Sequence, residues 1–553
     1  MRWTIVSLAL LAAAPGRAAD RVLAARLRPT DGGGQIHAAL VHRPTAKYPY
    51  RLVTQALGIA PDAAPPPSSE AVADHVIVKL RRGAARADLA RHAARSGARI
   101  RRDLHMPGFY LVAAPRPALD SVPRLLDTCT SATGIVAYAE PDFVFRLDDT
   151  VPNDPEYTNG ALWGHAIIDC PAAWDLTTGT GGTVIAIIDT GVDYNHEDLA
   201  ANMWRNPGET GVDSNGLARA DNGVDDDGNG WVDDVYGWDF RNDDPDPMDG
   251  AGGDYASHGT RNAGHAAAVG NNGAGVVGVC WSARIMALKA FNTDGSASST
   301  ILDSFAYIAT MRDRGVNVRV ANASWGNYSY SASLEEAIQT IRRRGVLLSA
   351  SAGNDSRDID THLRYPACYP LDNIVCAAAT TQTDGKRASS NYGAVHVDLG
   401  APGAAILSTA TGDNYTTSDG TSRSAPFVAG AAALVWELFP QLNHRQVRRA
   451  ILEGVDPVPA LQSFTQTGGR LNARGALEAA SGAIVRLTPL PGSGAVEIGW
   501  TSISNRTFDL LVATNLCATN WAPAAAGLTA TPPLNTVTAT PPARAAFYRV
   551  HTE

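Results

Sequence analysis

The chain has 553 residues, 45% of them hydrophobic and 18% charged, with a formal net charge of −9; it is too long for one core and is expected to fold as roughly three or four units. A negative balance with no long basic run excludes a nucleic-acid surface, and 52 glycines and 33 prolines argue against a helical bundle and for a turn-rich α/β design. Six cysteines are too few for a fold built on disulfides.

Residues 1–18 read as a signal peptide. Arg2 supplies the positive start, Trp3–Ala14 the apolar stretch and Gly16-Arg17-Ala18 the small-residue cleavage pattern. That stretch is shorter than the ~20 residues that cross a bilayer, and no later segment reaches membrane length, so a secreted protein without a membrane span is expected. Residues 19–68 form an unassigned segment that runs into an Ala/Pro-rich linker, GIAPDAAPPPSSEAVA at 58–73. Residues 69–146 then alternate strand and helix patterns: His75–Leu80, Ala87–Arg95, Phe109–Ala113, Ser121–Asp127 and Ile135–Ala139. This rhythm predicts a ferredoxin-like α+β module.

Between 150 and 480, apolar β-rich runs (Thr183–Ile188, Val316–Ser324, Gly345–Ala350) alternate with helical patterns (Ser299–Arg314, Leu334–Arg344, Pro426–Phe439). This predicts an α/β domain, a parallel sheet with helices on both faces, whose functional groups gather at the carboxyl ends of strands. Residues 484–553 change to short alternating strands at Ala495–Trp500, Phe508–Val512, Thr536–Thr540 and Phe547–Val550, which predicts a small all-β sandwich. Cys368 and Cys376 are near enough in sequence to bridge a short loop. Cys170 and Cys280 are either buried thiols or a second bridge, and Cys129 and Cys517 have no evident partner.

Three segments carry the chemistry: VIAIIDTGVDYNHEDL (184–199), SHGTRNAGH (257–265) and DGTSRSAPFVAG (419–430). They hold Asp189, His258 and Ser422, each in a glycine-flanked turn beside an apolar element. A hydroxyl is a poor nucleophile at neutral pH; it needs a base, and the base needs an acid group that fixes its tautomer. Taken singly, the three are also a turn aspartate, a structural histidine and a helix-capping serine. The chain order Asp, His, Ser is the one found in subtilisin, not in chymotrypsin or the α/β-hydrolases.

With ASWG (323–326), SAGND (351–355) and GTSRSAP (420–426), these segments resemble the subtilisin-like serine peptidases, or subtilases, over roughly residues 150–478. The resemblance implies that Asp189 orients the imidazole, His258 is the general base and Ser422 the nucleophile. It implies that Asn354, with the Ser422 N–H, holds the oxyanion. Ser324, Trp325 and Gly326 would pair with the substrate backbone as an added strand and, with Ser351, Ala352 and Gly353, line the primary pocket. Neither stretch carries a carboxylate, so an apolar or broad preference is expected over a dibasic one. The module ending in YAEPD resembles an inhibitory propeptide, removed near 146–153. Departures from the family pattern are Arg261, where many bacterial members have histidine, and Arg423 and Phe427 in place of methionine and histidine.

The acidic excess is concentrated between Asp221 and Asp249. Within it, Asp225, Asp227, Asn229 and Asp233 match the first half of an EF-hand loop, with Tyr236 where the bidentate glutamate belongs; the segment is either a calcium loop or a solvated acidic loop. By resemblance, Asp154, Asp198 and Asn272 form a second calcium site with carbonyls of the Gly270–Val276 turn. Structural Ca²⁺ and no organic cofactor are expected. The resulting expectation is a secreted, monomeric serine endopeptidase made as a zymogen, acting on proteins or peptides and inhibited by its own propeptide. The alternatives are a non-catalytic, calcium-stabilised adhesive or scaffold protein on the same fold, and an esterase or acyl transferase using the same three residues.

Overall fold

The computed structural model describes residues 21–29, 35–42, 50–57, 68–143, 150–250, 252–490, 493–504, 506–515, 521–542 and 546–552. The expected signal peptide, most of the linker, residues 146–149 of the expected processing stretch and Cys517 lie outside them. The chain divides into two compact units, Met1–Asp148 and Asp149–Glu553.

In the first unit, the strand Ser68–Leu80 pairs antiparallel with Phe109–Ala113 on one side and Val136–Phe143 on the other, and Arg99–Asp103 pairs with the outer edge of Phe109–Ala113. Helices Arg86–Ala94 and Ser121–Thr130 bury Leu89, Ala93, Val122, Leu125 and Cys129 against Val76, Val78 and Val112. This is the ferredoxin-like order. The strand Arg99–Asp103 (RIRRD) escapes an apolar-period reading because four of its five residues are exposed. Three further strands, Arg21–Pro29, Gln35–His42 and Tyr50–Leu57, continue the sheet as an antiparallel meander, in the stretch where the sequence shows no clear pattern.

The second unit is built on a nine-stranded sheet. Its central order is Ile374–Thr380, Leu347–Ser351, Val318–Ala323, Val184–Asp189 and Arg284–Lys289, all parallel. Successive side chains of a strand face opposite ways. Ile185 and Ile187 therefore join one core with Val428, Leu434 and Val435 of the helix Thr421–Leu438. Val184, Ala186 and Ile188 join the other, with Phe305 and Ile308 of the helix Ser298–Asp313 and Ile338 and Ile341 of Ala332–Arg343. Burial on both faces is why these strands read as unbroken apolar runs.

The helix expected from Pro426 begins at Thr421 instead, with Pro426 inside it. Proline lacks the N–H that would bond the carbonyl of Ser422 one turn earlier. That carbonyl accepts a hydrogen bond from the Ser324 hydroxyl at 3.0 Å, so the first turn is completed by a neighbouring strand end.

After Ala480 come two three-stranded antiparallel sheets, Ile484–Pro489, Val496–Thr501 and Leu534–Ala539, then Thr507–Ala513, Ala522–Thr529 and Phe547–Thr552. Ile498, Trp500, Phe508 and Leu510 form their core. The five described cysteines are free and buried, so of the alternatives left open by the sequence, Cys170, Cys280, Cys368 and Cys376 are separate thiols. Burial pushes the Cys368 thiol up to about 11, which disqualifies it as a nucleophile at neutral pH. Among the described residues, no helix is long and apolar enough to cross a membrane.

Candidate active site

Asp189 ends the strand Val184–Asp189, and His258 opens the helix His258–Ala267. The two meet because Gly259 has no side chain: a Cβ there would lie 2.0 Å from the Gly191 carbonyl oxygen and 3.0 Å from the Asp189 Cβ. Asp189 Oδ1 is 2.6 Å from His258 Nδ1 and accepts from the Thr190 N–H at 2.8 Å. The other oxygen accepts from the Asn262 amide at 2.8 Å. Asp189 is 2% exposed. Burial opposes its ionisation, but His258, the Thr190 N–H and Asn262 outweigh it and hold the carboxyl below the usual carboxylate range. Burial is also the main influence on His258. With the charges of Arg423 and Arg261 it outweighs Asp189 and lowers the imidazole from its ordinary value, so the ring is neutral at neutral pH and Nε2 is its basic nitrogen.

Ser422 lies in the first turn of the helix Thr421–Leu438, where backbone N–H groups have no partner within the helix and the dipole favours negative charge. Its hydroxyl donates to the Ser324 carbonyl at 3.1 Å; among the described residues no hydrogen bond joins it to His258. Asn354 Oδ1 accepts from the Thr421 N–H at 2.9 Å and from the Thr421 hydroxyl at 3.2 Å. That fixes the orientation of the amide and leaves its NH₂ as the end not spent on Thr421. Asp189, His258, Ser422 and Asn354 line one cleft of about 370 Å³.

Of the six residues expected to bind substrate, Ser324, Trp325 and Gly326 line this cleft. The Trp325 indole N–H is tied to the Ile188 carbonyl at 2.9 Å. Ser351, Ala352 and Gly353 are buried behind it: the Ala352 carbonyl accepts from Asn391 at 2.9 Å, and the Gly353 N–H donates to Thr421 at 3.0 Å. Asp355 accepts from the Tyr328 hydroxyl at 2.6 Å. Arg364 and Tyr365, which no motif singled out, also line the cleft. Two of the three departures, Arg423 and Phe427, are packed in the interior. Arg423 donates to Asn262 Oδ1 at 2.7 Å, and the Phe427 ring lies 5.1 Å from that of His165 and 5.3 Å from that of His265.

In the acidic segment, Asp225 and Asp227 converge with Glu209, which sequence reading missed because it lies upstream of the loop template. Glu209 is fully buried and its Oε2 has no hydrogen-bond partner. Asn229 and Asp233 point elsewhere: the Asn229 amide donates to Asp234 at 3.0 Å, and Asp233 accepts from the N–H groups of Asn222 at 3.2 Å and Gly223 at 3.0 Å. Tyr236 stacks on Tyr194 at 4.3 Å, a packing role. Asp154, Asp198 and Asn272 gather at the Gly270–Val276 turn. The Asn272 amide donates to Asp198 at 2.8 Å, the Asn271 N–H to Asp154 Oδ2 at 2.7 Å, and the buried Asp154 Oδ1 has no hydrogen-bond partner. Both sets offer hard oxygen donors and an orphaned buried carboxylate oxygen, a chemistry that fits Ca²⁺.

The subtilase family model matches residues 180–474, which contain the cleft. The chain is 34% identical to the thermophilic serine proteinase of Bacillus sp. (strain AK1) over 344 residues, 62% of this chain and 73% of that one. It is 33% identical to thermitase of Thermoactinomyces vulgaris over 328 residues, 59% of this chain and 99% of that one. It is 31% identical to the halolysin-like extracellular serine protease Nep of Natrialba magadii over 313 residues, 57% of this chain and 50% of that one. With a family match over more than half its length and a parallel sheet that brings an aspartate, a histidine and a serine to one cleft, the chain belongs to the subtilase family and is a serine endopeptidase of the subtilisin type.

Proposed function

We propose that the protein is a secreted endopeptidase made as a zymogen, in which Ser422 attacks the peptide carbonyl, His258 moves the proton and Asp189 orients and stabilises the imidazole. The observation that carries this reading is the 2.6 Å Asp189–His258 contact in one cleft with Ser422 and Asn354. With Nδ1 committed to Asp189, Nε2 faces the reaction. The Ser422 hydroxyl turns from the Ser324 carbonyl to Nε2 and gives up its proton as Oγ bonds to the carbonyl carbon. The oxyanion receives hydrogen bonds from the Asn354 NH₂ and the Ser422 N–H. His258 then protonates the leaving amine, the C–N bond breaks, and an acyl-enzyme remains. Water, deprotonated by His258, attacks the ester carbonyl, and the proton returns to Ser422 Oγ as the acid leaves.

The ferredoxin-like unit, by its resemblance to family propeptides, supports synthesis as an inhibited precursor. The N-terminal apolar pattern, together with a relative whose name describes it as extracellular, supports secretion. Asp154, Asp198 and Asn272 would hold one calcium ion and Glu209, Asp225 and Asp227 another; such ions supply positive charge that ties loops down and take no part in bond breaking.

The test compares purified precursor with its Ser422→Ala variant in calcium. The wild type is expected to shorten at its N-terminus and to react once with a fluorophosphonate, and the variant to do neither. A wild type that stays intact and unlabelled under these conditions overturns the reading.

A further inference from the structure

Arg364 is one of three buried arginines described in the second unit, with Arg423 and Arg470. It is 9% exposed and lies between the strands Leu347–Ser351 and Ile374–Thr380. Its Nη1 donates to the Ser351 carbonyl at 3.0 Å and its Nη2 to the Gly326 carbonyl at 3.2 Å. These carbonyls sit at or just past the ends of two adjacent parallel strands, Leu347–Ser351 and Val318–Ala323, where a crevice opens in such sheets. The guanidinium spans it closely: a Cβ on Gly326 would lie 2.6 Å from Nη1, and one on Gly353 would lie 2.7 Å from Nε. Arg364 lines the same cleft as Ser422, His258 and Asn354.

No counter-charge touches Arg364: among the described residues it forms no ion pair, and Asp355, whose charge favours the protonated guanidinium from a distance, is hydrogen-bonded by Tyr328 at 2.6 Å. Arg470, 8% exposed, is by contrast paired with both Asp384 and Asp456. A guanidinium has five N–H donors and stays protonated. Two carbonyls satisfy part of that capacity and none of the charge, and a buried charge without a counter-charge is costly to hold. An incoming carboxylate matches the fork of donors and cancels the charge.

We propose that Arg364 forms the base of the pocket that receives the substrate side chain immediately before the scissile bond, and that the enzyme prefers an acidic residue there. The inference rests on the assignment of Ser422 and Asn354 to catalysis, since these set which substrate side chain enters the crevice. It replaces the apolar or broad preference expected from the wall segments alone.

The test uses the self-processed enzyme and chromogenic peptides that differ only in the residue before the cleaved bond: Glu, Gln, Ala, Phe or Lys. The expected result is a kcat/KM for Glu at least about tenfold above that for Gln, with Lys poorest. Arg364→Gln is expected to remove the Glu-over-Gln ratio, and Arg364→Lys to keep part of it. Because Arg364 ties two wall segments together, a wild-type measurement stands beside the variants. The Glu/Gln ratio falls with added salt, and a product peptide ending in Glu inhibits more tightly than one ending in Gln. Equal or better cleavage after Gln, Ala or Phe, in enzyme fully labelled by a fluorophosphonate, overturns the inference and leaves the catalytic reading standing. Failure to label sinks both.

Discussion

His258 lies between one carboxylate and two guanidinium groups, and their balance sets the pH at which the site works. Arg423 is 3% exposed, and burial, with Arg261 beside it, pushes it down to about 9. It reaches the Asn262 carbonyl oxygen at 2.7 Å, and the Asn262 NH₂ in turn reaches Asp189 at 2.8 Å, so one arginine both orients the amide behind the aspartate and repels a proton from the histidine. Replacing it by methionine removes a positive charge, which favours the imidazolium and raises the His258 pKa. The acid limb of the kcat/KM profile should therefore move to higher pH in Arg423→Met and stay nearer its original place in Arg423→Lys. An unmoved or downward-shifted limb in the methionine variant rules out this role. Asn354 acts at a different moment. In Asn354→Leu, kcat should fall by about 10²–10³-fold with KM nearly unchanged, the loss of about 3–4 kcal/mol known for this donor in subtilisin; a matching rise in KM would mean that the amide holds substrate rather than oxyanion. Both asparagines show why residues are only partly legible in sequence. Asn354 sits in a recognisable motif, whereas the use of Asn262 depends on Arg423, 161 positions away in the chain.

At the scale of elements, legibility follows burial. The strands Val184–Asp189 and Leu347–Ser351 are buried along their whole length, and their apolar runs announce them. The strand Arg99–Asp103 is largely exposed and gives no such signal. The helix Thr421–Leu438 is readable only from Pro426 onward because its first turn, TSRSA, is polar or small and takes its partners from Ser324 and Asn354. Closest approach between elements is the hardest to foresee. The helix His258–Ala267 docks on the turn after Asp189 through Gly259, and a single methyl group there meets backbone rather than a movable side chain. Gly259→Ala should cost about 1–3 kcal/mol of stability, seen as a lower melting temperature, and should reduce kcat/KM far more than that loss explains, because it separates His258 from Asp189. A variant that melts lower yet keeps wild-type kcat/KM would show that the helix can back away without disturbing the pair.

For the molecule as a whole, the unresolved charge lies in its loops. Glu209 Oε2, Asp227 Oδ1 and Asp154 Oδ1 are buried without a hydrogen-bond partner; Arg314, 3.4 Å from Asp227 Oδ1, answers only part of the first cluster. Carboxylates held this way are costly unless a cation joins them. An ion that binds only the folded state stabilises it by mass action, by about 2.7 kcal/mol at a hundredfold excess over its Kd. The second unit spans 149–553, and with about 2.1 cal/mol/K of unfolding entropy per residue each kcal/mol moves its melting temperature by about 1.2 °C, so removing both ions should lower it by roughly 6 °C. The measurement belongs on Ser422→Ala protein, since autolysis of the active enzyme would mimic unfolding. Glu209→Gln, which keeps the shape of the side chain and removes its charge, should erase part of the calcium-dependent difference while leaving the rest to the Asp154 site. An identical melting temperature in calcium and in chelator would mean that both carboxylate clusters are held by the protein alone, with Arg314 and the surrounding N–H groups sufficient for the task.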